Sequence, residues 1–194
     1  MTRTRISLLE RLRTRSDHAA WDDFVRLYGP LIHRWLCEFR LQHHDACDVG
    51  QEVLVTVVRE MPQFRYDPGR GSFRGWLRNV VTNRVLGYWR SRDQQRVVLG
   101  DSDFQKRLVE LEDPSSETSR RWDDEHDSHV IARVLALVRT DFEPATWQAF
   151  SRVVMHGEKP TVVAASLGIS VNAVHLAKAR VLRRMRQEIA GLLD

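Results

Sequence analysis

The last third of the chain carries a pattern that few folds accommodate: a short apolar helix, a glycine and a second helix with a basic surface. Val162, Val163 and Leu167 recur at the spacing of one helix face. Gly168 follows, and glycine readily takes the positive φ that ends a helix. Ser170 then offers a hydroxyl that can cap the next helix. This order predicts a helix-turn-helix, whose second helix enters the major groove of DNA.

The second helix has an apolar side and a basic side. Its apolar residues recur at helical spacing; they are Val174, Ala177, Val181, Leu182 and Met185. Its cations are clustered, as neutralisation of DNA phosphates requires; they are Lys178, Arg180, Arg183, Arg184 and Arg186. Taken alone, the segment also fits an ordinary helical hairpin with a solvated basic face.

Charge is distributed unevenly along the 194 residues. Residues 1–100 carry 17 Lys and Arg against 11 Asp and Glu, residues 101–146 carry 6 against 12, and residues 147–194 carry 7 against 3. Two basic blocks around an acidic one indicate two modules that face nucleic acid, joined by a segment that avoids it.

Helical periodicity runs through nearly the whole sequence, and no alternation of polar and apolar residues is long enough to indicate a sheet. We therefore predict an all-α fold of two small helical domains. Residues 101–127 hold ten acids against four bases, with Pro114 in their midst, which predicts a flexible acidic linker before helix resumes at Ser128.

The cysteines do not indicate a disulfide-stabilised, secreted protein. Only Cys37 and Cys47 are present, and neither a signal peptide nor a bilayer-spanning apolar run is evident, so we expect cytoplasmic residence and no membrane partner. His33 and His43 each precede a cysteine by four residues, a spacing that leaves a zinc site open as an alternative. Core or surface placement is the more usual role, and we expect no metal.

The sequence lacks the constellations that enzymes use. It has no G-x-x-x-x-G-K-[ST] loop for phosphates and no legible pairing of a nucleophile with a base. His18, His126 and His129 lie in polar surroundings, where we expect solvated side chains, and the adjacent Asp123 and Asp124 also suit a solvated surface. We therefore predict a protein that is not an enzyme and that needs no cofactor.

Two strings in the first half carry a family resemblance. D-A-C-D-V-G-Q-E-V-L begins at Asp45, and G-S-F-R-G-W-L-R-N-V-V-T-N-R-V-L begins at Gly71. In this order, ahead of a C-terminal helix-turn-helix, they resemble the bacterial RNA polymerase sigma factors of the extracytoplasmic-function group of the sigma-70 family. The resemblance implies a region 2-like domain over residues 1–96, a linker over 97–127 and a region 4-like domain over 128–194.

The resemblance also implies partners. In this family the helix that carries Asp48, Gln51 and Glu52 docks on the β′ clamp of core RNA polymerase, and the three residues share one helix face in this chain. We expect Val53, Val57 and Val58 on the opposite, apolar face. The family further implies contact with the β flap, promoter DNA as ligand, an acidic linker that runs toward the RNA exit path, and an anti-sigma factor as a further partner in some members.

The segment around the second string resembles the family's element for recognising and opening the minus-ten region. Unstacked bases are held by stacking and edge hydrogen bonds, which aromatic, arginine and asparagine side chains provide. The implied minus-ten residues are Phe64, Tyr66, Arg70, Arg74, Arg78, Asn79, Asn83 and Arg84. For Phe73 and Trp76, both core packing and stacking on DNA remain open, with core packing preferred.

The second domain would then read the minus-thirty-five element. The implied residues are Ser170, Asn172, Ala173, His175, Leu176, Lys178, Arg180, Arg183 and Arg184. Family members often have Arg or Lys at the position of His175, and Leu176 cannot donate a hydrogen bond. Apolar contact and DNA shape would therefore weigh more than usual in this chain.

Two other functions fit parts of the sequence. A free-standing helix-turn-helix regulator would bind DNA, often as a dimer on paired half-sites, without the polymerase. A pure interaction protein with sigma-like domains would occupy polymerase or an inhibitor without reading DNA, and its binding would not fall with salt as phosphate contacts require.

Overall fold

The computed structural model describes residues 8–14, 16–64, 72–93, 106, 109–110, 113 and 115–193. These residues are mainly helical and include no strand, which confirms the all-α prediction. The chain divides into two compact units. The first comprises the residues up to Val130 together with those from Gly191 onward, and the second comprises Ile131–Ala190.

The described helices follow one another along the chain. They are α1 Leu8–Leu12, α2 His18–Glu38, α3 His43–Glu60, a 3-10 turn over Met61–Gln63, α4 Phe73–Asp93, α5 Glu117–Arg139, α6 Pro144–Val154, α7 Pro160–Leu167 and α8 Val171–Ile189. Helix α5 contributes residues to both units, because the boundary between them follows Val130.

The first unit is built around the apolar faces of α2, α3 and α4. Asp17 fixes the start of α2, because its carboxylate accepts a hydrogen bond from the amide of Ala20 at 3.0 Å and caps the helix. Arg11 donates to the same carboxylate, and this hydrogen bond is the main cause of a lowered Asp17 pKa. In the core, the rings of Tyr28 and Phe73 meet edge to face with centroids 5.6 Å apart.

The predicted acidic linker is wrong for its last part. Helix α5 begins at Glu117, so residues 117–127 are helical and not linker. Ser119, Trp122, His126 and Val130 are all buried within the first unit. Their spacing of three or four residues places them on one face of α5, and burial of that face outweighs the acidic composition of the other.

Helix α5 is anchored to α2 by a stack of two tryptophans. The rings of Trp35 and Trp122 lie 3.4 Å apart between centroids, and each side chain is almost fully buried. Next to the stack, Arg121 donates to Glu38 at 3.3 Å. Removing this aromatic surface from water therefore stabilises the contact between α5 and α2.

The second unit contains the predicted helix-turn-helix. Gly168 ends α7 with φ of 65°, and the hydroxyl of Ser170 accepts a hydrogen bond from the amide of Ala173 at 3.1 Å. Both end signals predicted from the sequence are confirmed. Val163 is fully buried, whereas Val162, which we assigned to the same apolar face, is 52% exposed and lies outside the core.

Helices α7 and α8 meet at an angle of 106°. That angle lies in the range of about 90–120° that is usual for helix-turn-helix units. The core beneath the turn comprises Ala149, Val163, Ala164, Val174 and Ala177, with Val153, Leu167 and Ile169 packed against it. Among the described residues no single helix has the length and hydropathy to cross a bilayer, and α7 and α8 pass that test only as a bent pair.

Candidate polymerase and nucleic-acid interfaces

Helix α3 presents the three residues predicted to bind polymerase on one exposed face. The side chains of Asp48 and Glu52 are 62% and 63% exposed, and Gln51 is exposed between them. On the opposite face Val53 and Val57 are fully buried. The fold therefore supplies a rigid helix with a polar surface that a partner can reach.

The same face also contains exposed apolar residues that the sequence analysis missed. Val55 is 65% exposed and follows Gln51 and Glu52 by one helical turn. Val58 is 40% exposed, so its assignment to the buried face is wrong. The spacing of four residues between Gln51 and Val55 could have predicted this placement. A valine on a polar helix face does not pack inside the domain.

Arg84 contacts α3 within the first unit. Its guanidinium donates to the hydroxyl of Thr56 at 2.9 Å, and another of its nitrogens lies 3.8 Å from a carboxylate oxygen of Glu52. This predicted minus-ten residue therefore lies next to the predicted polymerase face, where it partly neutralises Glu52.

The aromatic residues before and within α4 form one cluster. Phe64 lies 5.7 Å from Phe73 and 5.1 Å from Trp76 between ring centroids. Phe73 is fully buried, which confirms core packing for that ring, while Trp76 is only partly buried. Tyr66 and Arg70, also predicted to contact the minus-ten region, lie outside the described residues.

Helix α4 divides its polar residues between two faces. Asn79 and Asn83 are exposed, one turn apart, and the same exposed face continues through Gly87 to Arg90. A side chain at Gly87 would meet nothing within 4 Å, so this face is open to a ligand. Arg90 is an addition to the predicted residues, and its place on the face is visible from the spacing with Asn79 and Asn83.

Arg74 and Arg78 lie on the other face of α4, against α5. Arg78 is only 4% exposed and donates to Asp123 at 2.9 Å. Arg74 donates to Asp127 at 2.7 Å and lies 3.4 Å from Asp123. The sequence placed both arginines on DNA, Asp123 in solvent and Asp127 in the linker, but in this conformation the four side chains pair with one another.

His126 lies beneath these ion pairs and is fully buried, so the prediction of a solvated histidine is wrong. Its Nδ1 lies 3.0 Å from an oxygen of Asp127 and its Nε2 lies 3.3 Å from the hydroxyl of Tyr28. A neutral ring satisfies both partners by donating to the carboxylate and accepting from the hydroxyl. His129 is also held, with Nε2 2.6 Å from the carbonyl oxygen of Leu27.

Burial of His126 makes the stability of the first unit depend on pH. Desolvation lowers the pKa of His126 below its usual value of 6.5, and nearby Arg74 lowers it further, although Asp127 and Asp123 act in the opposite direction. Because the folded state favours the neutral ring, the free energy of unfolding should fall as pH drops through about 6.5 and below.

Urea denaturation at pH 7.5 and pH 5.5 tests this expectation. The wild-type protein should lose stability between the two conditions, while His126→Gln, which cannot titrate, should lose less. Equal losses for the two proteins would show that other groups cause the pH dependence.

Helix α8 exposes most of the residues predicted to read the minus-thirty-five element. Ala173 is half-buried, and Ser170 caps the helix. The remaining exposed members are Asn172, His175, Leu176, Lys178, Arg180 and Arg183. They share the side of α8 that faces away from Val174, Ala177 and Val181, as the sequence predicted.

Arg184 differs from the rest of this set. Its guanidinium donates to Asp141 at 2.8 Å and lies 2.5 Å from Glu188, and its side chain is only 13% exposed. The pair with Asp141 ties α8 to the turn between α5 and α6, and the pair with Glu188 lies within α8 itself. In this conformation Arg184 stabilises the second unit and is not placed to reach DNA.

The turn before the helix-turn-helix is fixed by a two-pronged ion pair. Arg152 donates from Nε to one oxygen of Glu158 at 2.7 Å and from a terminal nitrogen to the other at 2.5 Å. The hydrogen bond from Arg152 is the main cause of a lowered Glu158 pKa. This pairing orients α7 relative to α6 and so sets the position of the turn.

The two histidine–cysteine pairs lie on exposed surface of α2 and α3. Cys37 Sγ lies 3.7 Å from His33 Nε2, Cys47 Sγ lies 4.0 Å from His43 Nε2, and the two histidine rings are 5.0 Å apart. Within the described part of the chain, no three His, Cys, Asp or Glu side chains are arranged to hold a metal ion.

Comparison with known proteins shows which of them this chain resembles. Residues 24–95 match the family model of sigma-70 region 2. The ECF RNA polymerase sigma factor SigE of Mycolicibacterium smegmatis is 28% identical over 171 residues, which cover 88% of this chain and 62% of that protein. Residues 24–95 are therefore similar to sigma-70 region 2, and most of the chain is similar to a sigma factor of the extracytoplasmic-function group. The chain spans less than two thirds of the length of this curated relative.

The sigma-70 region 2 match includes most of α2, from Phe24 onward, and all of α3 and α4. All residues predicted to bind polymerase or the minus-ten region fall inside it, whereas α5 and the helix-turn-helix follow it. A solved structure of CnrH in complex with the cytosolic domain of CnrY is 18% identical, with a TM-score of 0.37 over 92% of each chain.

Proposed function

We propose that this chain is a sigma factor of the sigma-70 family, which binds core RNA polymerase and directs transcription initiation at specific promoters, with no catalytic activity of its own. The observation that carries the proposal is the combination, in one chain, of a sigma-70 region 2 match and a basic helix-turn-helix that lies outside that match. A free-standing regulator would need the second feature and not the first.

Polymerase binding is assigned to the exposed face of α3. Asp48, Gln51 and Glu52 supply polar and charged groups, and Val55 adds apolar surface beside them. An interface with a small apolar centre and a polar rim suits docking on a helical element such as the β′ clamp. Since Arg84 reaches Glu52, this face is next to the start of the DNA-binding surface.

Promoter opening is assigned to α4 and the aromatic cluster before it. Asn79 and Asn83 present amide groups from one exposed face, and such groups can hydrogen-bond the edges of unstacked bases. Phe64 and Trp76 supply aromatic surface at the N-terminal end of the same helix. The minus-ten element would therefore lie along α4, with separated bases near these two rings.

Minus-thirty-five recognition is assigned to the N-terminal half of α8. Asn172 and His175 are exposed near the helix start, where residues of a recognition helix reach base edges. Lys178, Arg180 and Arg183 follow along the same helix and suit the phosphate backbone. Base reading thus falls to few side chains, and phosphate contacts supply most of the affinity.

The proposal is tested by adding the purified protein to bacterial core RNA polymerase and measuring complex formation and transcription from a promoter library. We expect a stable complex and new start sites that share a two-part upstream motif. Binding to DNA without binding to core polymerase would favour a free-standing regulator. Binding to core without new start sites would favour an interaction protein.

Separate variants should divide the two activities. Gln51→Ala combined with Glu52→Ala should weaken binding to core polymerase at least about tenfold, because truncation of hot-spot residues near the centre of an interface costs about 2 kcal/mol or more. Asn83→Ala should bind core normally and open the promoter less, as measured by permanganate reactivity of thymines in the minus-ten region.

A double variant on exposed positions of α2, Asp22→Ala with Arg26→Ala, serves as the control for the α3 pair, since both residues are solvent-exposed within the first unit. It should behave as wild type. Full affinity of the Gln51→Ala, Glu52→Ala protein for core would show that polymerase docks elsewhere.

A further inference from the structure

We propose that the first half of α5, residues 117–130, competes with promoter DNA for the arginines of α4 and keeps the free protein in a state that binds DNA weakly. This inference rests on the proposed function, because it assigns Arg74 and Arg78 to DNA phosphates once α5 has moved away.

The ion pairs themselves support this competition. Asp123 accepts from Arg78 at 2.9 Å, and Asp127 accepts from Arg74 at 2.7 Å. A carboxylate and a phosphate bind the same guanidinium donors at similar distances. While these pairs persist, neither arginine can offer its charge to a DNA backbone. Arg78 is only 4% exposed, so α5 also blocks access to it.

The two faces of α4 make the effect selective. Asn79 and Asn83 stay exposed while Arg74 and Arg78 are covered. The covered residues are those that add sequence-independent affinity, and the open ones are those that can read base edges. The first half of α5 also carries five acids against two bases, so its field opposes the approach of a phosphate chain.

The contacts that hold the first half of α5 to the first unit are partly apolar, so its release requires more than the loss of ion pairs. Trp122 stacks on Trp35, and His126 lies buried against Tyr28, so α5 does not detach by screening of charge alone. Release must be driven by a competing interaction made when the initiation complex forms. The device therefore ties exposure of the two arginines to assembly with the polymerase.

Charge-neutral variants of the first half of α5 provide the first test. Asp123→Asn with Asp127→Asn removes both partners of the arginines. Glu117→Gln with Asp124→Asn changes the net charge equally from exposed positions of the same helix. The probe is a fluorescent single-stranded oligonucleotide of mixed sequence, titrated at several salt concentrations.

We expect the Asp123, Asp127 variant to bind the oligonucleotide about tenfold more tightly than wild type at low salt. Without its carboxylate partner the buried guanidinium of Arg78 destabilises the packing of α5 on α4, so α5 opens and both arginines neutralise phosphates. Its plot of log K against log salt should be steeper by about 1.4, from a slope near 0.7 per phosphate on a single strand. Adding Arg74→Ala and Arg78→Ala should abolish the gain. Equal gains from the control pair would overturn the proposal.

A reversible cross-link between α5 and α2 tests the proposal with Asp123 and Asp127 left in place. Glu38→Cys and Arg121→Cys, in a Cys37→Ser, Cys47→Ser background, can be joined by a short bis-methanethiosulfonate, which would hold α5 against α2 at their native contact. The linked protein should bind core polymerase and fail to open promoters until reductant cleaves the link. Promoter opening at the same rate before and after reduction would overturn the proposal.

Failure of the proposed function would give a different result. In that case the uncross-linked wild-type protein would not bind core or start transcription, whatever the oligonucleotide titrations show. Wild type could also initiate transcription while the aspartate variant leaves oligonucleotide binding unchanged and the cross-link leaves promoter opening unchanged. In that case the proposed function stands, and the proposed competition between α5 and DNA is refuted.

Discussion

Replacing Trp122 with alanine is expected to lower the free energy of unfolding of the first unit by about 3–5 kcal/mol, the usual cost of removing a large aromatic side chain from a core. Trp122 is 4% exposed and stacks on Trp35 at 3.4 Å between ring centroids. Its removal would leave a void beside Trp35 and weaken the packing of α5 on α2. Against a total stability of about 5–15 kcal/mol for a domain, this loss is large.

Urea denaturation followed by circular dichroism measures the effect. Arg120→Ala is the matched control, since this residue is exposed on the same turn of α5 and its loss should change stability by no more than about 0.5 kcal/mol. If Trp122→Ala cost no more than Arg120→Ala, the first half of α5 would contribute nothing to the unit, and the linker predicted from composition would describe it better.

The features predicted correctly from the sequence are those fixed by neighbouring residues. Gly168 and Ser170 act on the ends of α7 and α8 through backbone conformation and a hydrogen bond three residues away. Helical periodicity is equally local, so the all-α class and the two elements of the helix-turn-helix followed directly. In such cases the sequence contains both partners of each interaction within one or two turns.

The role of α5 could not be predicted in this way because its partners are distant in the chain. His126 contacts Tyr28 across 98 positions, and Asp123 meets Arg78 across 45. Composition marked the segment as acidic and therefore as a linker. The apolar stripe through Trp122 and Val130 was visible at helical spacing, but nothing local identified the surface that it covers.

The arginines show a second limit of sequence reasoning. A guanidinium on a helix surface binds a carboxylate or a phosphate with the same donors, so charge and spacing cannot tell which partner is present. Arg74, Arg78 and Arg184 were predicted to contact DNA, and all three pair with carboxylates of the same chain. Neutral residues such as Asn79 and Asn83 lack this ambiguity, since no charged partner competes for them.

Substitutions at the start of α8 should change promoter choice more than promoter affinity. Asn172→Ala is expected to reduce discrimination at one base pair of the minus-thirty-five element by about 1–3 kcal/mol, or about 5- to 150-fold, if the amide bonds adenine in two places. Asn172 is exposed within the first turn after the Ser170 cap, so the change should leave the fold intact.

Arg180→Ala is the matched comparison, because Arg180 is exposed on the same helix and carries the charge that a phosphate contact needs. Its loss should weaken binding equally on all sequences and reduce the salt slope on duplex DNA by about 0.9. Transcription from a randomised minus-thirty-five library separates the two outcomes. A uniform loss for Asn172→Ala would mean that Asn172 does not read a base, and that selectivity in α8 comes from its neighbours His175 and Leu176 or from DNA shape.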